Sequence, residues 1–209
     1  AALYRDKDAE QKLFMDQKIL EIVAHELESM ERDGRKLYVV CPVQHETLYH
    51  FDRYEKYKER LSQIPMSQRP FLILLVMNRE ESLTKDPYWF VIPLREFCRH
   101  VFAEVPLRRD INFNYLRNSG VDIAGVRLDK SMGSEQQIIT LLNSFASTAK
   151  ALKISRTFIL DISTLSLTTS AVCAGFNFLG GPAIHEEVPK PDSVHKYRYE
   201  DLLSDLIKK

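Results

Sequence analysis

Four side chains in this 209-residue sequence stand where they can do chemistry: Glu104, Arg127, Asp129 and Asp161. Each falls at or just past the end of a short apolar run, at 101–105, 123–128 and 157–162. Such runs suit buried strands, and the C-terminal ends of strands are where β/α barrels place their sites. Carboxylates gathered there could hold a divalent cation and activate a water, provided that loops supplied further oxygens. Three acids alone fall short of such a shell, so no tightly held metal is expected. The plainer assignment is an ion pair of Arg127 with Asp129 or Asp161 at the rim.

Other clusters carry less. His45, Glu46 and His50 invite a metal, yet histidines five apart miss the one-turn spacing that puts two imidazoles on one helical face. They read as loop and helix-start residues. Cys41, Cys98 and Cys173 are odd in number and widely spaced, which fits buried thiols in a reducing cytosol. Gly180-Gly181-Pro182 reads as a tight turn at a strand end rather than a phosphate cradle. The sequence has no Gly-rich nucleotide loop, no Ser-centred elbow, no Cys-x-x-Cys and no His-x-x-x-His.

The elements that would position these residues follow from hydrophobic periodicity. A long amphipathic helix is expected over 6–33, with Leu13, Ile19, Leu20, Val23, Leu27 and Met30 as its apolar stripe and Gly34 at its stop. A strand at 36–41 ends at Pro42. A second helix, 46–64, carries Tyr49, Phe51, Tyr54, Tyr57 and Leu61. Aromatics among Lys and Arg suit single-stranded nucleic acid, but Asp52, Glu55 and Glu59 cancel the charge, and a packed helix is the reading. Phe71 opens the most apolar run, 71–77. A polar connection (78–87), an irregular crossover (88–99), strand 101–105 and a short helix (108–119) follow. Strands 123–128, 157–162 and 176–179 then alternate with helices marked by Ile138, Leu142 and Phe145 and by 164–174. A last helix is expected at 199–207. Strand–helix alternation marks a parallel sheet with helical crossovers.

The order Val126-Arg127-Leu128-Asp129-Lys130-Ser131, then Ala149-Lys150-Ala151-Leu152-Lys153-Ile154, a strand ending in an acid, and Ala174-Gly175-Phe176-Asn177-Phe178-Leu179-Gly180-Gly181 resembles the C-terminal half of an EAL domain. The likeness covers about the last 85 residues; before them it is one of element order. It implies a TIM-barrel-like (β/α) barrel, and in that family divalent metal serves the hydrolysis of cyclic diguanylate. The family's pattern is Leu-Lys-Ile-Asp-Arg-Ser, Ala-Glu-Gly-Val-Glu and Gly-Cys-Asp-Tyr-x-Gln-Gly-Tyr. Against it, no Glu-Ala-Leu segment is found. Pro42 stands for a metal-binding Asn, Val76-Met77-Asn78 for Glu-Ile-Thr, and Gly180 for a Gln. Glu104 is one acid where the family has a pair. Arg127 replaces Lys, Asp129 matches, and Asp161 is near the place of the first Glu of Ala-Glu-Gly-Val-Glu.

The resemblance and these departures together lead to a set of expectations. The fold is α/β, an incomplete EAL-type barrel of about six strands, in one domain divided as 1–34, 35–184 and 185–209. The chain is not an enzyme and takes no cofactor. It is a protein-interaction or localisation module in bacterial signalling, cytoplasmic, either a homodimer or covered by another protein at its open edge. The helix at 6–33 is the expected cover, through Leu20, Val23 and Leu27, either within the chain or across a dimer. A receptor that binds cyclic di-GMP without cleaving it is the alternative, and an enzyme with a repurposed barrel mouth the third. With 29 basic and 29 acidic residues the chain carries no formal net charge, which argues against a general nucleic-acid or anionic-membrane binder. No apolar run reaches the ~18 residues a membrane span needs.

Overall fold

The computed structural model describes residues 8–77, 88–108, 116, 119–129 and 132–185. Asn78, the connection 78–87, most of the helix expected over 108–119 and all of that over 199–207 lie outside them. The chain divides into two compact units, residues 1–104 with 114–122, and residues 105–113 with 123–209. Among the described residues no helix is long and apolar enough to cross a membrane.

In the first unit, α1 (Ala9–Arg32) starts where Asp8 accepts a hydrogen bond from the Gln11 backbone N–H at 2.8 Å. An acid there satisfies an otherwise orphaned donor and complements the helix dipole. Leu13, Asp16, Leu20, Val23, Leu27 and Met30 recur at three- and four-residue steps and are all buried. The stripe expected to cover an open edge therefore belongs to this unit's own core, with Leu20 and Leu27 each 2% exposed.

Strand β1 runs Val39–Gln44, three residues later than expected, and Pro42 lies inside it. Among the described residues β1 pairs with β2 (Leu72–Met77) alone, and proline, which lacks an N–H, is tolerated on such an edge strand. Strand β3 (His100–Glu104) completes a parallel set in chain order. The expected helix 46–64 is two helices, α2 (His45–Tyr49) and α3 (Phe51–Ser62), because His50 between them is extended, with ψ 122°. Tyr54, Tyr57 and Leu61 of α3 are buried, and the Tyr57 hydroxyl lies 3.7 Å from Cys41 Sγ. The crossover 88–99 holds a single helical turn, α4 (Val91–Leu94).

The second unit is strand, helix, strand, helix, strand, as expected: β4 (Ile123–Arg127), α5 (Glu135–Ala151), β5 (Arg156–Leu160), α6 (Leu165–Ala174) and β6 (Phe178–Leu179). The pairings are parallel. A capping box of Ser134 and Gln137 opens α5, and Phe145 stacks on Phe176 with ring centres 5.6 Å apart. Gly125 is required by packing. A Cβ there would lie 2.3 Å from both the ring and the carbonyl oxygen of Phe158, its partner on β5.

Candidate functional site

Strand register decides which side chains share a face at the strand ends. In the first unit Cys41 and Val43, Leu74 and Val76, and Val101 and Ala103 are in register and all 0% exposed. The Cys41–Tyr57 contact puts this set under the helices. Alternation then turns Pro42 and Gln44, Leu75 and Met77, and Phe102 and Glu104 to the opposite face. Its last layer is Gln44, Met77 and Glu104, which are 8%, 6% and 4% exposed. The Gln44 Nε2 group points at Met77 Sδ, 4.0 Å away. Val76 lies under the helices, and Met77 is the residue of β2 in this layer.

In the second unit Ala124, Val126 and Ile159, all fully buried, share one face. Arg127 and Leu160 are register partners on the other. Arg127 Nη1 donates to Asp161 Oδ2 at 2.9 Å, with the two side chains 25% and 52% exposed. This is one of the two rim ion pairs expected for Arg127, the one with Asp161. Asp161 has φ 62°, a left-handed conformation that aspartate tolerates better than most residues. Asp129 is exposed, and its carbonyl accepts from the Met132 N–H at 3.0 Å.

The Gly180-Gly181 segment is a turn laid against the end of β5. Ile162 N–H donates to the Gly180 carbonyl at 3.0 Å, and Ala183 N–H to the Ile162 carbonyl at 3.0 Å. A Cβ on Gly181 would fall 2.2 Å from the Ile162 nitrogen, and its φ of 142° favours glycine as well. The backbone groups of this turn serve the chain itself.

The structure thus brings Arg127 and Asp161 together, and Asp129 is exposed just after β4. Glu104 is buried in the first unit beside Met77 in register. Among the described residues, no three His, Cys, Asp or Glu side chains gather as a metal set would. His45 opens α2 and packs on Tyr49, Tyr88 and Phe90, with ring centres 5.3–5.7 Å apart. Cys41 and Cys98 are buried, and burial pushes each thiol up to about 12, whereas Cys173 is exposed, against expectation.

Two residues that matter at this end were not singled out from sequence. Gln44 was hidden by ending the strand at Pro42. Asp16, on the buried face of α1, is 0% exposed. Its Oδ2 accepts from the Gln44 backbone N–H at 3.1 Å and from the Thr47 hydroxyl at 2.5 Å. Lys12, one turn earlier, pairs with Glu46. Together they fix α1 to the junction of β1 and α2.

No family model matches the sequence. No curated protein matches it either. Solved structures do. The Bacillus subtilis YkuI protein, with an EAL domain, in complex with substrate c-di-GMP and calcium, aligns with a TM-score of 0.64 at 16% identity over 98% of this chain and 49% of that one. The Xanthomonas citri FimX EAL domain in complex with c-diGMP gives 0.60 at 16% identity, over 84% and 70%. Vibrio cholerae LapD S helix-GGDEF-EAL, bound to c-di-GMP, gives 0.61 at 15% identity, over 80% and 41%. At these identities the likeness defines the fold: the chain has the α/β, TIM-barrel-like EAL fold, as its sequence led us to expect. Six strands are described, against eight in a closed (β/α)8 barrel. The chain spans about half the length of several of these matched chains.

Proposed function

We propose that this chain is a non-catalytic EAL-fold module that serves cyclic-di-GMP signalling in the bacterial cytoplasm through protein interaction or localisation, as a homodimer or bound to another protein. The observation that carries this reading is the side-chain chemistry at the strand ends. Met77 in one unit and Leu160 in the other offer a thioether and an alkyl group, and beside Met77 stand only one amide, Gln44, and one carboxylate, Glu104. Metal-assisted phosphodiester hydrolysis asks for hard oxygens at such positions. Of the acids, Asp161 is engaged by Arg127. The test is incubation of the purified chain with cyclic di-GMP and Mg²⁺ or Mn²⁺, with products separated by chromatography. We expect no turnover above background. Metal-dependent turnover that Asp129→Ala abolishes refutes the reading.

A second reading, a receptor that binds cyclic di-GMP without cleaving it, draws on the c-di-GMP complexes of FimX and LapD. Arg127, at a strand end, is a cation this chain could offer a phosphate. Calorimetric titration with cyclic di-GMP, with and without the metals, separates the two: saturable binding without turnover selects the receptor.

A further inference from the structure

One surface of the first unit that its own core leaves uncovered is the outward stripe of α1. Phe14 is 57% and Ile22 70% exposed. On a helix of 3.6 residues per turn, each lies about 40° from Lys18, one on either flank. Lys18 Nζ stands 5.7 Å from the Phe14 ring centre and 2.7 Å from Glu21 Oε2. Beside this stripe runs a groove of about 540 Å³ between α1 and residues 60–68, with Leu20, Ala24, Ile64 and Pro65 as its apolar lining. Single exposed apolar residues are ordinary; two on one stripe, beside a groove with an apolar floor, form a patch that fits a partner.

We propose that α1 docks on α1 of a second copy, antiparallel, about a two-fold axis passing between Lys18 and Glu21. Charge pattern selects this arrangement. A parallel, in-register pair would set Lys18 against Lys18 and Glu21 against Glu21. The antiparallel pair sets Lys18 against Glu21 of the second copy, twice by symmetry. In the same register Phe14 is level with His25 of the second copy. A side chain so placed enters the hole between residues 21, 24, 25 and 28 of the facing helix. Glu21, Ala24, His25 and Glu28 all line the groove. The apolar knob and the apolar-floored groove therefore coincide in the register that the charges choose.

The inference rests on the homodimer part of the proposed function and names its surface. A helix pair of this length makes an interface at the small end of the specific range, so a dissociation constant in the range of about 1–100 µM is expected. Sedimentation or light scattering across that range, on the whole chain, gives the wild-type constant. Lys18→Glu or Glu21→Lys alone should raise it about tenfold or more, and an equimolar mixture of the two variants should restore association. In a Cys173→Ser background, Phe14→Cys chains should cross-link to His25→Cys chains and not to each other. Circular dichroism melts matching wild type show that the variants fold. A dimer that neither charge reversal weakens, or Phe14→Cys chains that cross-link among themselves, overturns the inference and leaves the homodimer standing. A wild type monomeric throughout overturns both.

Discussion

Replacing Asp16 by alanine tests how α1 is fixed to the strand-end junction. The carboxylate is fully buried and accepts from the Gln44 N–H at 3.1 Å and from the Thr47 hydroxyl. Gln44 is the N-cap of α2 and Thr47 lies in its first turn, so the Asp16 carboxylate ties α1 to the start of that short helix. Alanine strands two buried donors at about 1–3 kcal/mol each, for a loss of roughly 3–5 kcal/mol. Trp89 is the one tryptophan of the chain and lies in the first unit. Its indole N–H donates to the Tyr49 carbonyl at 3.3 Å, at the end of α2, so its fluorescence reports on this region. With a urea dependence of about 1–1.5 kcal/mol per molar for a unit of this size, the midpoint should fall by about 2–5 M, or the unit should be unfolded in buffer. Thr47→Val alone removes one donor to a charged acceptor and should cost about 1.5–3 kcal/mol. The double variant should cost less than the sum, because the hydroxyl is no longer stranded. A midpoint shift for Asp16→Ala below about 0.5 M, or strict additivity, would refute the account.

Other outcomes follow from single contacts. Gly125→Ala should destabilise the second unit by about 3 kcal/mol or more, since the Phe158 carbonyl cannot move aside as a ring can; wild-type protease resistance would contradict this. Asp161→Asn, which tolerates a left-handed backbone, should cost under about 1 kcal/mol in thermal unfolding, while Asp161→Ala should cost about 1–2 kcal/mol through strain and the lost pair. Ellman's reagent at pH 8 should titrate Cys173 rapidly and leave Cys41 and Cys98 unreacted until urea is added. Burial raises both buried thiols from an ordinary 9.0 to about 12. Their protonated state therefore supports the fold fully below pH 9, and that support is lost as pH rises from about 9 towards 12. Urea midpoints at pH 8 and pH 10 should show the loss, and Cys41→Ala should lessen it.

Much of this architecture was legible in the residues themselves. The run at 71–77 is too apolar to be anything but a buried strand, and β2 is buried at every position. The three- and four-residue spacing of Leu13, Leu20, Val23, Leu27 and Met30 requires one face of α1 to be covered, and the structure sets its N-cap at Asp8, two residues past the expected start. The alternation of strand and helix after residue 123 was enough to place the EAL likeness. An Arg127–Asp161 pair was one of two that the sequence offered. Tertiary structure decided what periodicity leaves open. It chose that α1's stripe packs within its own unit, which leaves Phe14 and Ile22 as the exposed apolar residues of that helix. Pairing to β2 carried β1 past Pro42, and that register turned Met77 rather than Val76 towards the strand-end layer. It also buried an aspartate on an apolar face, because donors 28 and 31 residues away arrive to satisfy it. A periodic pattern states that a face is buried, but the partner, the register and the acceptor of a distant donor are properties of chain segments far apart in sequence. Only the folded packing brings those together.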